Sequence, residues 1–170
     1  MKSKATPNYF RGEEIAKMEP EDGWIVLPNG SRISDSAEID PSAVIGHNVR
    51  IAANVTIGPG AWIDSEARLD DGATIGAKAS IGRSAVVGYG SNVGPGAYVG
   101  PDAGIGSYVT IAAGAKVGEN AVIGSDSLIG PDAEIGPKAH LKRQVKIAGN
   151  ARVADSSVID SWTVIERYYP

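Results

Sequence analysis

Beginning at Leu27, every sixth residue is a large aliphatic: Ile33, Ile39, Ile45, Ile51 and Ile57 follow, and the series runs on to Ile159 and Ile165. All twenty-four positions of this series are Ile, Leu or Val. Two residues before each lies a second series that is mostly small, such as Ala43, Ala61, Ala67, Ala73, Ala79, Ala85, Ser91 and Ala97. Residues two apart on a strand point to the same side. Each hexad therefore predicts a short strand that turns one small and one large aliphatic residue toward a shared interior, with a polar corner between strands.

The corner residues carry turn chemistry. Pro recurs two positions after the large aliphatic, at Pro41, Pro59, Pro95, Pro101, Pro131 and Pro137. The next position is dominated by Gly, Asn, Asp and Ser, as at Asn48, Asn54, Gly60, Gly72, Gly90, Gly96, Asp102 and Asp132. Pro presets φ near −65° and the following residue accepts positive φ, the combination a type II turn needs. Gly often follows the aliphatic directly, as at Gly76, Gly82, Gly88 and Gly94. The glycine-rich run "VGYGSNVGPGAYVGPDAGIG" from Val87 to Gly106 is thus a series of corners. Neither Gly88-Tyr-Gly90 nor Gly94-Pro-Gly96 opens a helix with nucleotide-binding spacing, and no Gly-Lys-Ser/Thr follows, so a phosphate-cradling loop is set aside.

This pattern resembles the hexapeptide-repeat superfamily over Leu27 to Ile165. The resemblance implies an all-β fold, a left-handed parallel β-helix of about eight three-sided coils. The left hand comes from the resemblance alone, since parallel crossovers are in general right-handed. At the usual strand spacing eight coils make a prism roughly 38 Å tall. Residues 1–24 fall outside the rhythm, with a helix-like "GEEIAKM" before Pro20, and read as a short helical or irregular N-terminal cap. Residues 25–166 form the β-helix and 167–170 a C-terminal tail. Tyr9, Phe10 and Trp24 are expected over the first coil, and Trp162, Tyr168 and Tyr169 over the last, where open strand edges invite polymerisation.

The residue between the two inward ones faces out, and three hexads per coil sort these into three ladders. The first reads Val26, Val44, Trp62, Ser80, Tyr98, Lys116, Glu134, Arg152. The second reads Arg32, Arg50, Arg68, Val86, Gly104, Val122, His140, Val158. The third reads Glu38, Thr56, Thr74, Asn92, Thr110, Leu128, Lys146, Val164. Members of the superfamily are typically trimers with ligands between subunits, and apolar outward residues suit a homotrimer. Arg32, Arg50 and Arg68 stack on consecutive coils, about 4.8 Å apart. Like charges so close repel. Either Asp35, Asp64, Asp70 and Asp71 on nearby corners compensate them, or a small anionic ligand does.

Composition narrows the chemistry. A net charge of −4 argues against a nucleic-acid binder. With no cysteine there is no disulfide, thiolate metal site or Cys nucleophile. The first ten residues lack a signal-peptide core and no run spans a membrane, so a cytoplasmic protein is expected. In superfamily acyltransferases a groove histidine deprotonates the acceptor. Of the two histidines here, His140 projects from a strand beside Val122 and Val158, whereas His47 occupies a corner. A surface histidine without chemistry is the simpler reading of either. The γ-class carbonic anhydrases share the fold but require three histidines per zinc. His47 and His140 lie about five coils apart, roughly 25 Å, so no metal site is expected. Thr56, Thr74 and Thr110 share a ladder, but Glu38, Asn92, Leu128 and Lys146 break any ice-binding face.

Two functional readings result. The first is a non-catalytic trimeric scaffold or binding protein, without cofactor, holding a small anionic ligand at Arg32, Arg50 and Arg68. All twenty-four hexads run without an inserted loop, which favours it, because catalytic groups usually sit on loops. The alternative is an acyltransferase that uses acetyl-CoA or another acyl-CoA, with His140 as general base toward a hydroxyl or amine.

Overall fold

The computed structural model describes residues 8–169, with side chains to residue 167. Two-residue strands repeat every six residues from Glu38–Ile39 to Val164–Ile165 and stack into three parallel sheets. Residues eighteen apart are in register, as in Thr74↔Asn92, Ser80↔Tyr98 and Val86↔Gly104. The result is a left-handed parallel β-helix of about seven turns, slightly fewer than the eight expected. The interior is one continuous cluster in which Ile51, Ile63, Leu69, Ile81, Ile111 and Leu141 are fully buried.

Its corners obey one backbone rule. Every sixth residue from Asn48 to Trp162 has positive φ. The rule holds even at Glu66, Lys78, Tyr108, Lys138, Gln144 and Trp162, where a bulky side chain makes that conformation costly. Glycine directly after the large aliphatic answers a different need. A Cβ on Gly76 would lie 2.6 Å from the Pro95 backbone nitrogen of the next coil. Those glycines let one coil approach another; the positive-φ position three residues after the aliphatic lets the chain turn.

Serine enters the small-residue series where a wider turn needs a bridge. In most corners the N–H of the small residue donates to the carbonyl three residues back, as in Ala97 to Gly94 (3.2 Å). Where the small position holds Val109, its N–H donates instead to Ser91 Oγ of the coil below (3.0 Å), which itself donates to the Gly106 carbonyl (2.7 Å). Ser31 bridges Val49 to Gly46 in the same way, and Ser127 bridges Val145 to Lys142. At Val49, Val109 and Val145 the hydroxyl eighteen residues earlier thus takes the place of the corner's own backbone bond, whereas Val55 sits over Ala37 without one.

The N-terminal end departs from the expected ladders. Strand β1 (Phe10–Arg11) pairs antiparallel with Val44–Ile45, taking the rung on the first face that sequence gave to Val26. Helix α1 (Gly12–Ile15) follows. Strand β2 (Trp24–Val26) pairs antiparallel with β3 (Arg32–Ser34) on the second face. The cause is a hairpin at Pro28-Asn29-Gly30, in which the Gly30 N–H donates to the Leu27 carbonyl (3.0 Å) with Gly30 at φ 87°. Gly12 fits because the Asp40 carbonyl occupies the space a Cβ would need. Phe10 is buried, and the Tyr9 ring lies 4.9 Å from that of Trp62, so both cover the first coils as expected. At the other end Trp162 stands 74% exposed on a corner and covers nothing. The backbone of Tyr168–Tyr169 adds a parallel rung beside Arg152–Val153; the side chains of these two tyrosines, like residues 1–7, lie outside the described residues.

Candidate functional site

The second face brings the sequence-predicted residues onto one sheet. Arg32, Arg50, Arg68, Val86, Gly104, Val122, His140 and Val158 occupy its successive outward positions. Alternation within each two-residue strand places them outside, while Ile33, Ile51, Leu69, Ile123 and Ile159 are buried behind. Their backbones are held by interstrand bonds such as His140 N–H to the Ser157 carbonyl (2.8 Å). This sheet is therefore a rigid support for whatever chemistry its side chains carry.

At the N-terminal end the arginines diverge in environment. Arg68 Nε donates to Asp70 Oδ1 at 2.6 Å. Of the four corner aspartates expected to compensate the ladder, Asp70 alone pairs with an arginine. Asp71 accepts the Ala53 N–H (3.0 Å) and Asp64 the Ser65 N–H (2.7 Å). Among the described residues no ion pair joins Asp35 to the ladder, and none reaches Arg32 or Arg50. Their guanidinium carbons instead lie 5.2 and 5.7 Å from the centroid of the Trp24 ring. The sequence had suggested Trp24 as an end cap. An antiparallel strand brings it to this face, and no six-residue rhythm signals that. Next to it, a hollow of about 280 Å³ is lined by Arg50, Ala52, Arg68, Asp70, Asp71 and Tyr89.

At the C-terminal end His140 is exposed between Val122 and Val158. Among the described residues no hydrogen bond or ion pair holds its ring. His47 sits half-buried at a corner with Asn48 Nδ2 3.2 Å from its Nδ1. If the amide donates there, the proton of the neutral imidazole resides on Nε2. Five rungs separate the Arg50 strand from the His140 strand, about 24 Å, so the histidines are not brought together. Around the corner Tyr108, Leu128, Trp162 and Val164 are exposed, with Asp126, Gln144 and Lys146 on the rungs between them. Tyr108 meets Tyr89 edge-on at 5.3 Å, and burial plus its neighbour raise its hydroxyl pKa.

The first face offers a third feature. A hollow of about 720 Å³ is lined by Tyr98, Lys116, Glu134, Pro137, Arg152 and Asp155 among others. Glu134 bridges Lys116 (3.5 Å) and Arg152 (3.3 Å) across consecutive rungs, so its charges are mutually compensated. Among the described residues, no group of three or more His, Cys, Asp or Glu side chains could hold a metal ion. Nor is any helix long and apolar enough to cross a membrane.

Comparison with known proteins agrees with the fold. Residues 28–110 match the family described as the GMPPB C-terminal domain, and residues 96–131 match the six-repeat bacterial transferase hexapeptide family. No curated protein matches the chain. Among solved structures, it is similar to a UDP-N-acetylglucosamine O-acyltransferase of Moraxella catarrhalis, with TM-score 0.60 and 16% identity over 79% of this chain and 66% of that one. The UDP-N-acetylglucosamine acyltransferase of Campylobacter jejuni gives TM-score 0.51 and 20% identity over 80% of this chain and 71% of that one. At these identities the likeness is one of fold.

Proposed function

The chain is a member of the hexapeptide-repeat superfamily, and from that premise we propose that it is an acyltransferase working as a homotrimer. It moves an acyl group from an acyl-CoA, such as acetyl-CoA, to a hydroxyl or amine. The observation that carries this reading is the strip around His140. An imidazole stands between the exposed Val122 and Val158, and Leu128, Trp162 and Val164 are exposed around the corner. An isolated prism has no use for such a strip in water, whereas a second copy buries it. That contact turns the exposed histidine into one lining a groove between subunits. Both solved structures named above are acyltransferases, which favours transfer over the non-catalytic scaffold reading.

In this mechanism a neutral His140 nitrogen takes the proton from the acceptor as its oxygen or nitrogen attacks the thioester carbonyl. The imidazolium then returns that proton to the departing thiolate, releasing free CoA and the acylated acceptor. Imidazole suits both steps because its ordinary pKa lies near neutrality.

The test joins binding to turnover. Saturating acetyl-CoA is expected to raise the melting temperature by mass action, in the wild type and in His140→Ala alike. Release of free thiol with a panel of hydroxyl and amine acceptors is expected to fall about 10²–10⁴-fold in His140→Ala. No thermal shift with acetyl-CoA, or release unchanged by the substitution, overturns the reading.

A further inference from the structure

We propose that Arg32 and Arg50, drawn together over the Trp24 ring, form a receptor for a phosphate group, either free or as a monoester. The two arginines are direct register partners on adjacent parallel strands, which sets their backbones about 4.8 Å apart. Long side chains of like charge at that distance relax by splaying apart. These converge, with both guanidinium carbons within 5.7 Å of the same ring centroid. The ring's quadrupole makes the proximity tolerable but carries no net charge, so it does not neutralise the two guanidinium groups.

Several outward cations on the prism meet a carboxylate, whereas Lys146 on the third face, like Arg32 and Arg50, has no ion pair among the described residues. Arg68 meets Asp70, Lys116 and Arg152 share Glu134, Lys142 meets Asp160 and Arg143 meets Asp126. No ion pair among the described residues reaches the two arginines over Trp24, although Asp70 and Asp71 share with Arg50 the hollow beside it. A guanidinium held near an aromatic ring makes no hydrogen bond to it, so its N–H donors remain available for two oxygens of an oxyanion.

The platform beneath is built rather than fortuitous. Trp24 closes a tight reversal in which Glu21 and Trp24 exchange backbone bonds (2.8 and 2.9 Å). Asp22 and Gly23 take positive φ at its centre, 48° and 79°, the requirement of a hairpin turn that matches strand twist. The Asp35 N–H then donates to the Gly23 carbonyl (3.0 Å), and β2 is locked onto β3. Ring and arginines are therefore held before any ligand arrives, which lowers the entropy cost of binding.

Charge selects the ligand class. A phosphate group carries about −1.5 to −2 near neutral pH and neutralises both guanidinium groups, whereas a carboxylate leaves one unanswered. This site lies about 24 Å from His140 by strand spacing, so it stands or falls independently of acyl transfer.

Titration calorimetry of the full chain with inorganic phosphate, at constant ionic strength, tests the proposal. Saturable binding is expected, weakened at least tenfold by Arg50→Gln and several-fold by Trp24→Leu, with Lys146→Gln, on another face, within twofold of wild type. Arg50→Lys keeps the charge but not the planar fork, and is expected to bind more weakly than wild type. Unchanged melting temperatures in the arginine variants establish that folding is intact. A parallel titration with glycerol 3-phosphate distinguishes the source: tighter binding than inorganic phosphate marks an ester, weaker binding the free ion. Absence of saturable phosphate binding, equal affinity in Arg50→Gln, or acetate binding as tightly as phosphate overturns the proposal. So does a change of assembly mass in Arg50→Gln without loss of phosphate affinity, because the pair then serves a second copy of the chain.

Discussion

From Arg32 to Arg68 the second face presents three guanidinium groups and the edge of Trp24; from Val86 to Val158 it presents three valines, a glycine and one imidazole. Behind both halves the interior is the same in kind, Ile33, Ile51 and Leu69 in one and Ile105, Ile123, Leu141 and Ile159 in the other, all buried. From Arg50 onward every strand of this face is two residues long and pairs in parallel with its neighbours at an eighteen-residue register. One backbone therefore supports two unlike surfaces, and the fold alone cannot tell them apart. In a solenoid the inward positions specify structure and the outward ones are left free for chemistry. Function must be read down a ladder, at intervals of eighteen residues, because a continuous window mixes three faces.

The equality of the two interiors can be broken first, and with the largest effect. Ile51→Ala and Ile123→Ala each remove a fully buried side chain and are expected to cost about 2–5 kcal/mol in urea unfolding. Similar losses confirm that the halves are equivalent inside; a small loss in one shows that half to be loosely packed. Next in size is the serine bridge. Ser91→Ala strands the Val109 N–H and the Gly106 carbonyl, an expected loss of about 1–3 kcal/mol. Adding Val109→Ala lets that corner close as the alanine corners do, so a double-mutant cycle is expected to show strong coupling.

Outside, the halves part company. Val158→Asp is expected to leave monomer stability within about 0.5 kcal/mol yet shift sedimentation toward single chains. Arg50→Gln is expected to leave sedimentation unchanged. The reverse pattern would move the subunit contact to the arginine half. Smallest is a pH effect. Hydrogen bonding to Lys142 holds the Asp160 carboxyl below its ordinary pKa, and the Ser42 hydroxyl and N–H do the same for Asp40. A depressed carboxylate pKa stabilises the fold above the unfolded value, and the gain fades as pH falls through the folded value. Melting temperatures of wild type and Asp160→Asn are accordingly expected to differ slightly at pH 6 and to merge in acid.

Much of this was legible in the sequence, for a physical reason. Leu27 to Ile165 keep step because each coil must meet the next at one strand spacing, and that constraint writes itself into every sixth residue. The arginine ladder was visible by the same periodicity. Trp24 was read as a cap over the first coil rather than as a partner of the arginines, because β2 runs against the solenoid and Pro28-Asn29-Gly30 reads equally well as a prism corner or a hairpin. Tyr108 and Trp162 at positive φ were also unforeseen: their side chains argue against the conformation, and the stacked coils impose it. Asp35, Asp64 and Asp71 were plausible partners for the arginines by proximity in sequence. Local N–H groups claim Asp64 and Asp71 instead, an arrangement visible only in three dimensions.

The claim on which the functional account rests is that the valine half of the second face, with His140 at its centre, meets another copy of this chain. Native mass spectrometry of the intact protein tests it most directly. The account predicts three chain masses for the wild type and a single chain for Val158→Asp. A wild type that flies as one chain, at a concentration where it remains folded, would contradict it.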